Sequence, residues 1–121
     1  MDYDRLVPFD TLLGKVFTSI EVEDEQITFN TDDGSQYLMF HRQDCCESVA
    51  IDDINGNLDD LIGSPILVAE ETGDHNDNLP YSYSCTWTFY KLATEKGWVD
   101  IKWYGESNGY YSEEVDLYKI R

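Results

Sequence analysis

Residues 83–104 constrain the fold more than any other stretch. Tyr83, Cys85, Trp87 and Phe89 alternate with Ser84, Thr86, Thr88 and Tyr90. Further on, Val99, Ile101 and Trp103 alternate with Asp100, Lys102 and Tyr104. A period of two is what a strand with one buried face requires. Thr94-Glu95-Lys96-Gly97 separates the two runs, and Gly97 offers the positive φ that a tight hairpin loop calls for. The pattern predicts a long antiparallel hairpin whose buried face carries Trp87, Phe89, Ile101 and Trp103. It speaks to fold and not to chemistry.

Strand patterns continue on either side. Residues 16–22, 26–30 and 35–41 read as three meandering strands, and Asp33-Gly34 between the last two is a strong hairpin signal. Residues 48–51 and 66–70 add two more, and residues 110–120 close the chain as a last strand. Phe9, Leu12 and Leu13 are expected on one helical turn that covers the sheet. Residues 52–63 hold the one internal helix expected, with Asn57 as cap, Asp59 and Asp60 in its first turn and Gly63 at its end. Residues 71–80 lack periodicity and read as a mobile loop; residues 105–109 read as a second irregular one. A chain of 121 residues is expected to form one domain over 1–121, burying about two-thirds of its unfolded surface. The expected class is mainly β (α+β): a single antiparallel sheet or sandwich-like domain with one or two short helices.

Charge narrows the functional classes. Twenty-five acidic residues against eight basic ones give a net charge of −17. Between Arg42 and Lys91 lie ten carboxylates and no Lys or Arg. Phosphate contacts supply most nucleic-acid affinity, so direct nucleic-acid binding is not expected. The same field would steer the chain toward a basic protein partner, solubility being the competing explanation. Asp52, Asp53, Asp59, Asp60, Glu70 and Glu71 are the candidate acidic binding surface. Tyr104, Glu106, Asn108, Tyr110 and Tyr111 form a second candidate, because aromatic rings among small polar residues give contact area at low entropy cost. There is no apolar run of about 18 residues and no basic segment ahead of an apolar block, so neither membrane nor export is expected. Three cysteines leave one unpaired in any disulfide scheme, which suits a reducing, cytoplasmic compartment.

Soft metal ligands occur at His41, Cys45 and Cys46. Structural zinc sites usually present two spaced ligand pairs, whereas here the cysteines are adjacent and neighbouring strand side chains diverge. The expectation is no metal, with one cysteine packed in the core and the other facing out. Asp53-Ile54-Asn55-Gly56-Asn57 and Asp74-His75-Asn76-Asp77-Asn78 imitate the start of a calcium loop. Leu58 and Leu79 stand where its glycine belongs, and Ser64 and Cys85 where its glutamate belongs. No cofactor is expected, and no pair of residues nominates itself as catalytic.

The blocks LLGKVFTSIEV, DDGSQYLMFHRQDCCESVAIDDINGNLDDLIGSPILVAEE and TWTFYKLATEKGWVDIKWYGESNGYY resemble a family of small acidic proteins found largely in bacteriophages and prophages. The resemblance spans about Leu12 to Asp116, and HRQDCCESV with WYGESNGYY is its most specific part. The family has no assigned activity, so no catalytic role passes to any residue. What the resemblance implies is a phage-derived accessory protein acting inside a host cell. Together with the charge, it leads us to expect a non-enzymatic protein that inhibits or modulates a basic, nucleic-acid-binding host protein, such as a component of host defence. The alternative expectation is a metal- or small-ligand-binding module built on residues 41–46 or on the GESNGYY loop.

Overall fold

The computed structural model describes residues 5–80 and 83–121. Its strands are β1 Leu6–Val7, β2 Phe17–Val22, β3 Gln26–Thr31, β4 Gln36–Phe40, β5 Ser48–Asn55, β6 Val68–Asn76, β7 Ser84–Thr94, β8 Gly97–Ser107 and β9 Asp116–Lys119. Two 3-10 turns interrupt them, η1 Phe9–Leu12 and η2 Leu58–Leu61, and the described residues contain no α-helix. One sheet has the order β1-β9-β4-β3-β2 and the other β5-β8-β7-β6. All the strand pairings are antiparallel. The sheets share one apolar core: Phe17, Ile27, Phe29, Met39 and Leu117 from the first cluster with Leu92, Val99, Ile101 and Trp103 from the second. The fold is a mainly β sandwich.

The β7–β8 hairpin sets the orientation of the second sheet. Its loop is only Glu95-Lys96, with Thr94 opposite Gly97. The ladder then continues through Leu92–Val99, Tyr90–Ile101 and Thr88–Trp103. Directly opposed residues of an antiparallel pair project to the same face. Odd positions of β8 therefore share a face with even positions of β7. Val99, Ile101 and Trp103 are buried as the alternation predicts, but beside Leu92, Tyr90 and Thr88. The expectation that Trp87 and Phe89 join that buried face is corrected. Both lie on the opposite side, and Phe89 is 39% exposed. Both parities of β7 carry large apolar residues, so alternation alone does not choose between them, and the loop length does. The positive φ expected of Gly97 is corrected as well: positive φ occurs at Gly14, Gly34, Gly56, Gly63 and Gly109 but not at Gly97, which is glycine for want of space. A Cβ on Gly97 would lie 2.7 Å from the Asp60 carboxylate.

Other boundaries shift for physical reasons. Residues 71–76 belong to strand β6 and are not a loop. An edge strand is held by its backbone ladder to one neighbour, here β7, and needs no apolar alternation to form. The predicted internal helix shrinks to η2, with the Asp59 N–H donating to Asn57 Oδ1 at 3.0 Å and Leu61 buried. In η1, Phe9 and Leu12 pack inward as predicted, whereas Leu13 is 47% exposed. Strand β2 carries a register shift between Phe17 and Ser19, and Phe17 is fully buried. The closing strand is limited to Asp116–Lys119.

Truncating a buried Leu leaves a cavity and costs about 2–5 kcal/mol, and a buried Trp about 3–5 kcal/mol. Leu92→Ala and Trp103→Ala, both on the core face, should fall in these ranges in urea unfolding. Phe89→Ala on the outer face should cost below about 1 kcal/mol. Comparable losses at Leu92 and Phe89 would contradict the register.

Candidate binding face and buried carboxylates

On the core-distal face of the four-stranded sheet, the hairpin lines up Trp87, Phe89 and Lys91 of β7 with Trp98, Lys102 and Tyr104 of β8. Trp98 is 59% exposed. Trp87 and Tyr104 stack with ring centres 5.3 Å apart. Lys91 Nζ lies 4.8 Å from the centre of the Trp98 ring, a cation–π contact. Carboxylates flank the rings: Asp53 on edge strand β5, opposite Lys102, and Glu70 on edge strand β6, opposite Lys91. Asp100 and Glu106 belong to β8 itself. The Tyr104 hydroxyl donates to Glu106 Oε2 at 3.1 Å, and desolvation followed by that carboxylate pushes the phenol up to about 12.

This arrangement redistributes the two predicted patches. Tyr104 and Glu106 join Asp53 and Glu70 on one face. Asp52 pairs with Lys102 at 3.2 Å. Asp59 and Asp60 sit apart on η2. Glu71 points toward the other face, where it accepts a hydrogen bond from the Tyr90 hydroxyl at 2.9 Å. Asn108, Tyr110 and Tyr111 follow β8, with Tyr110 83% exposed and edge-on to Tyr111 at 5.1 Å. The aromatic loop is thus two separate features.

The candidate metal ligand His41 is instead buried against the Glu47 carboxylate. His41 Nε2 meets Glu47 Oε2 at 2.8 Å, and His41 Nδ1 donates to the Glu114 carbonyl at 2.6 Å. Both partners are acceptors, so the ring satisfies them fully when it carries both protons. Glu47 also accepts from the N–H groups of Asp44 and Cys45 and from the Gln43 amide. Burial alone would raise the Glu47 carboxyl, but the Cys45 N–H, His41 and the remaining donors outweigh it and hold it at about 2. No ring nitrogen of His41 is left for zinc. Cys45 and Cys46 are both exposed and bonded to each other as a disulfide, and the buried cysteine is Cys85. That corrects the expectation of one packed and one free member of the adjacent pair. Among the described residues no three His, Cys, Asp or Glu side chains converge as a metal site.

A second buried carboxylate, Glu113, was not foreseen. Its Oε1 accepts from the Thr86 hydroxyl at 2.7 Å, and its Oε2 from the hydroxyls of Ser84 and Ser107. The Thr86 proton is committed to Glu113, so His75 Nδ1 is the donor in its 2.7 Å contact with Thr86 Oγ1. His75 is exposed at the mouth of a cleft of about 460 Å³ that Asp77, Tyr111 and Ser112 also line. Burial pushes Glu113 up, while Ser107, Ser84, Thr86 and His75 outweigh it, so its net shift is downward. Gly105 leaves the space, because a Cβ there would lie 2.9 Å from Glu113 Cβ. All three hydroxyls lie within hydrogen-bond reach of the carboxylate, which makes the cluster a clasp between hairpin and closing segment. The sequence signal was the run Ser84, Thr86, Thr88 on one parity of β7, legible only once that parity is known to face inward.

Residues 10–117 match the family described as a domain of unknown function, DUF7448. The chain belongs to this family. No curated protein and no solved structure matches. The matched span runs from η1 into β9, so the hairpin face and both buried carboxylates lie within the family domain.

The depressed Glu47 carboxyl makes stability depend on pH. Its folded value, about 2, lies below the ordinary 4.5, so the unfolded chain takes up the proton first on acidification. Stability from this group is complete above pH 4.5 and lost as pH falls toward 2. Urea unfolding across that window should show a steeper acid loss for the wild type than for Glu47→Gln, by up to one proton. Identical slopes would remove Glu47 from the acid transition.

Proposed function

We propose that the protein is a non-enzymatic binding protein that engages a basic protein through the outer face of its four-stranded sheet. One observation carries the reading: outward-facing rings on the two central strands, exposed at Phe89 and Trp98 and half-buried at Trp87 and Tyr104, are flanked by carboxylates on the edge strands. Rigid aromatic rings supply contact area at low entropy cost, and a guanidinium or ammonium gains on such rings as Lys91 does on Trp98. The net charge of −17 supports the choice of partner, because it repels nucleic acid and accelerates encounter with a cationic surface. A partner whose cationic surface normally holds nucleic acid would be blocked by occupation of that surface. The resemblance to phage and prophage proteins supports placing this action inside a host cell, against a host protein such as a defence component. The competing metal reading loses support because His41 is fully engaged and the adjacent cysteines are bonded to each other.

The test is association kinetics with the basic protein captured from host lysate. Neutralising Asp53, Glu70, Asp74 and Glu106 to Asn or Gln should slow association by about tenfold or more and flatten its salt dependence. The same number of neutralisations at Glu21, Glu23, Glu25 and Asp32, which belong to the other sheet and its turns, should change it far less. Association indifferent to salt and to the first set would remove charge from the mechanism.

A further inference from the structure

We infer that the free edge of β6 takes an extended segment of a basic chain as an added strand. The inference rests on the reading that the partner is basic, but it uses a different surface from the aromatic face. Among the described residues, β6 is the last strand of its sheet and pairs only with β7. Among the described residues, no backbone hydrogen bond outside that ladder involves residues 70–76, and all seven are exposed. An open row of N–H and C=O groups is a template for another strand, and proteins usually blunt it with proline, a bulge or short length. β6 has none of these: it runs for nine residues, contains no proline and keeps an unshifted register against β7. η1 packs against β6, and charge guards the strand through Glu70, Glu71 and Asp74.

That guard selects the occupant. A second copy of the chain would bring a charge of −17 against the same carboxylates, whereas a strand bearing Lys or Arg would neutralise them. The inner side of the edge is shaped for such side chains. Glu71 and Tyr90 line a cleft of about 500 Å³ whose floor includes Phe9 and Leu117 and whose rim includes Glu114 and Asp116. His75 and Asp77 line the neighbouring cleft, which shares Glu114. An added strand alternates its side chains between the two faces of the sheet. One set would enter these clefts, laying a lysine stem on apolar floor with its ammonium at the carboxylates. The other set would point toward the aromatic face.

The probe is the capped peptide Lys-Thr-Lys-Val-Lys-Thr-Lys-Val-Lys, with two N-methylated forms modified at the Lys or at the Thr/Val positions. In an antiparallel pair alternate residues direct their N–H toward the neighbour. One methylated form should therefore lose binding by about tenfold or more while the other stays within about twofold of the parent, because only one set bonds to β6. Glu71→Lys with Glu114→Lys should weaken the parent peptide by about tenfold, and Glu23→Lys with Glu25→Lys, an equal charge change in the β2–β3 turn, should not. The inference is overturned if both methylated forms bind alike, if the parent does not bind at millimolar concentration, or if sedimentation shows copies pairing at this edge. A failed peptide test with salt-dependent capture intact would sink the strand-addition mode alone. Strand addition with capture indifferent to salt and to the outer face would instead sink the function proposed above.

Discussion

The two-residue loop Glu95-Lys96 is the constraint on which the rest of the structure depends. By placing Thr94 opposite Gly97 it fixes every pair of the longest ladder in the molecule. A slip of one residue would turn each side chain of one strand to the other face. The core would then receive Trp87 and Phe89, and the Ser84, Thr86 and Thr88 row would face solvent. With the observed register, Leu92, Val99, Ile101 and Trp103 complete the core. The hydroxyls of Ser84 and Thr86 meet Glu113, and the outward rings form the proposed contact face. Core, clasp and binding surface are consequences of one loop length.

Two buried carboxylates then hold what the ladders do not. Burying a carboxylate is costly unless donors replace its water. Glu47 is met by His41, Gln43 and two backbone N–H groups, and Glu113 by three hydroxyls. The segment leading into β9 is held at successive residues: the Glu113 side chain, the Glu114 carbonyl taken by His41, and the Val115 carbonyl 3.1 Å from the Tyr90 hydroxyl, whose one proton it shares with Glu71. Desolvation and then Glu71 push the Tyr90 phenol upward, so it remains a donor. These side-chain bonds fix residues 113–115 without a strand, which is why the last strand is shorter than its alternation suggests.

Legibility followed how local the physics was. The Asp33-Gly34 turn, with Gly34 at φ +86°, the Asn57 cap and the buried Val99, Ile101 and Trp103 could be read from residues a few positions apart. The buried side of β7 could not be read from alternation, because both its faces carry large apolar side chains. Nor could β6 be read beyond Glu70, since an edge strand draws its stability from a neighbour and its carboxylates resemble a loop. Of the candidate site, Tyr104, Glu106, Asp53 and Glu70 do share a face, though they came from two separate predictions. Asp59, Asp60, Tyr110 and Tyr111 belong elsewhere. The Glu113 clasp joins residues 23 or more positions apart in sequence, except for Ser107, and has no local signature.

The central claim is that contact with a basic protein is made on the outer face of the four-stranded sheet. The three tryptophans divide across the sheet, Trp87 and Trp98 outward and Trp103 fully in the core. Titrating ¹⁵N-labelled protein with the captured basic partner and following the indole N–H signals tests the claim directly. The account predicts that the signals of Trp87 and Trp98 move together on binding while that of Trp103 stays in place. Saturable binding that leaves both outward indoles unmoved would contradict it.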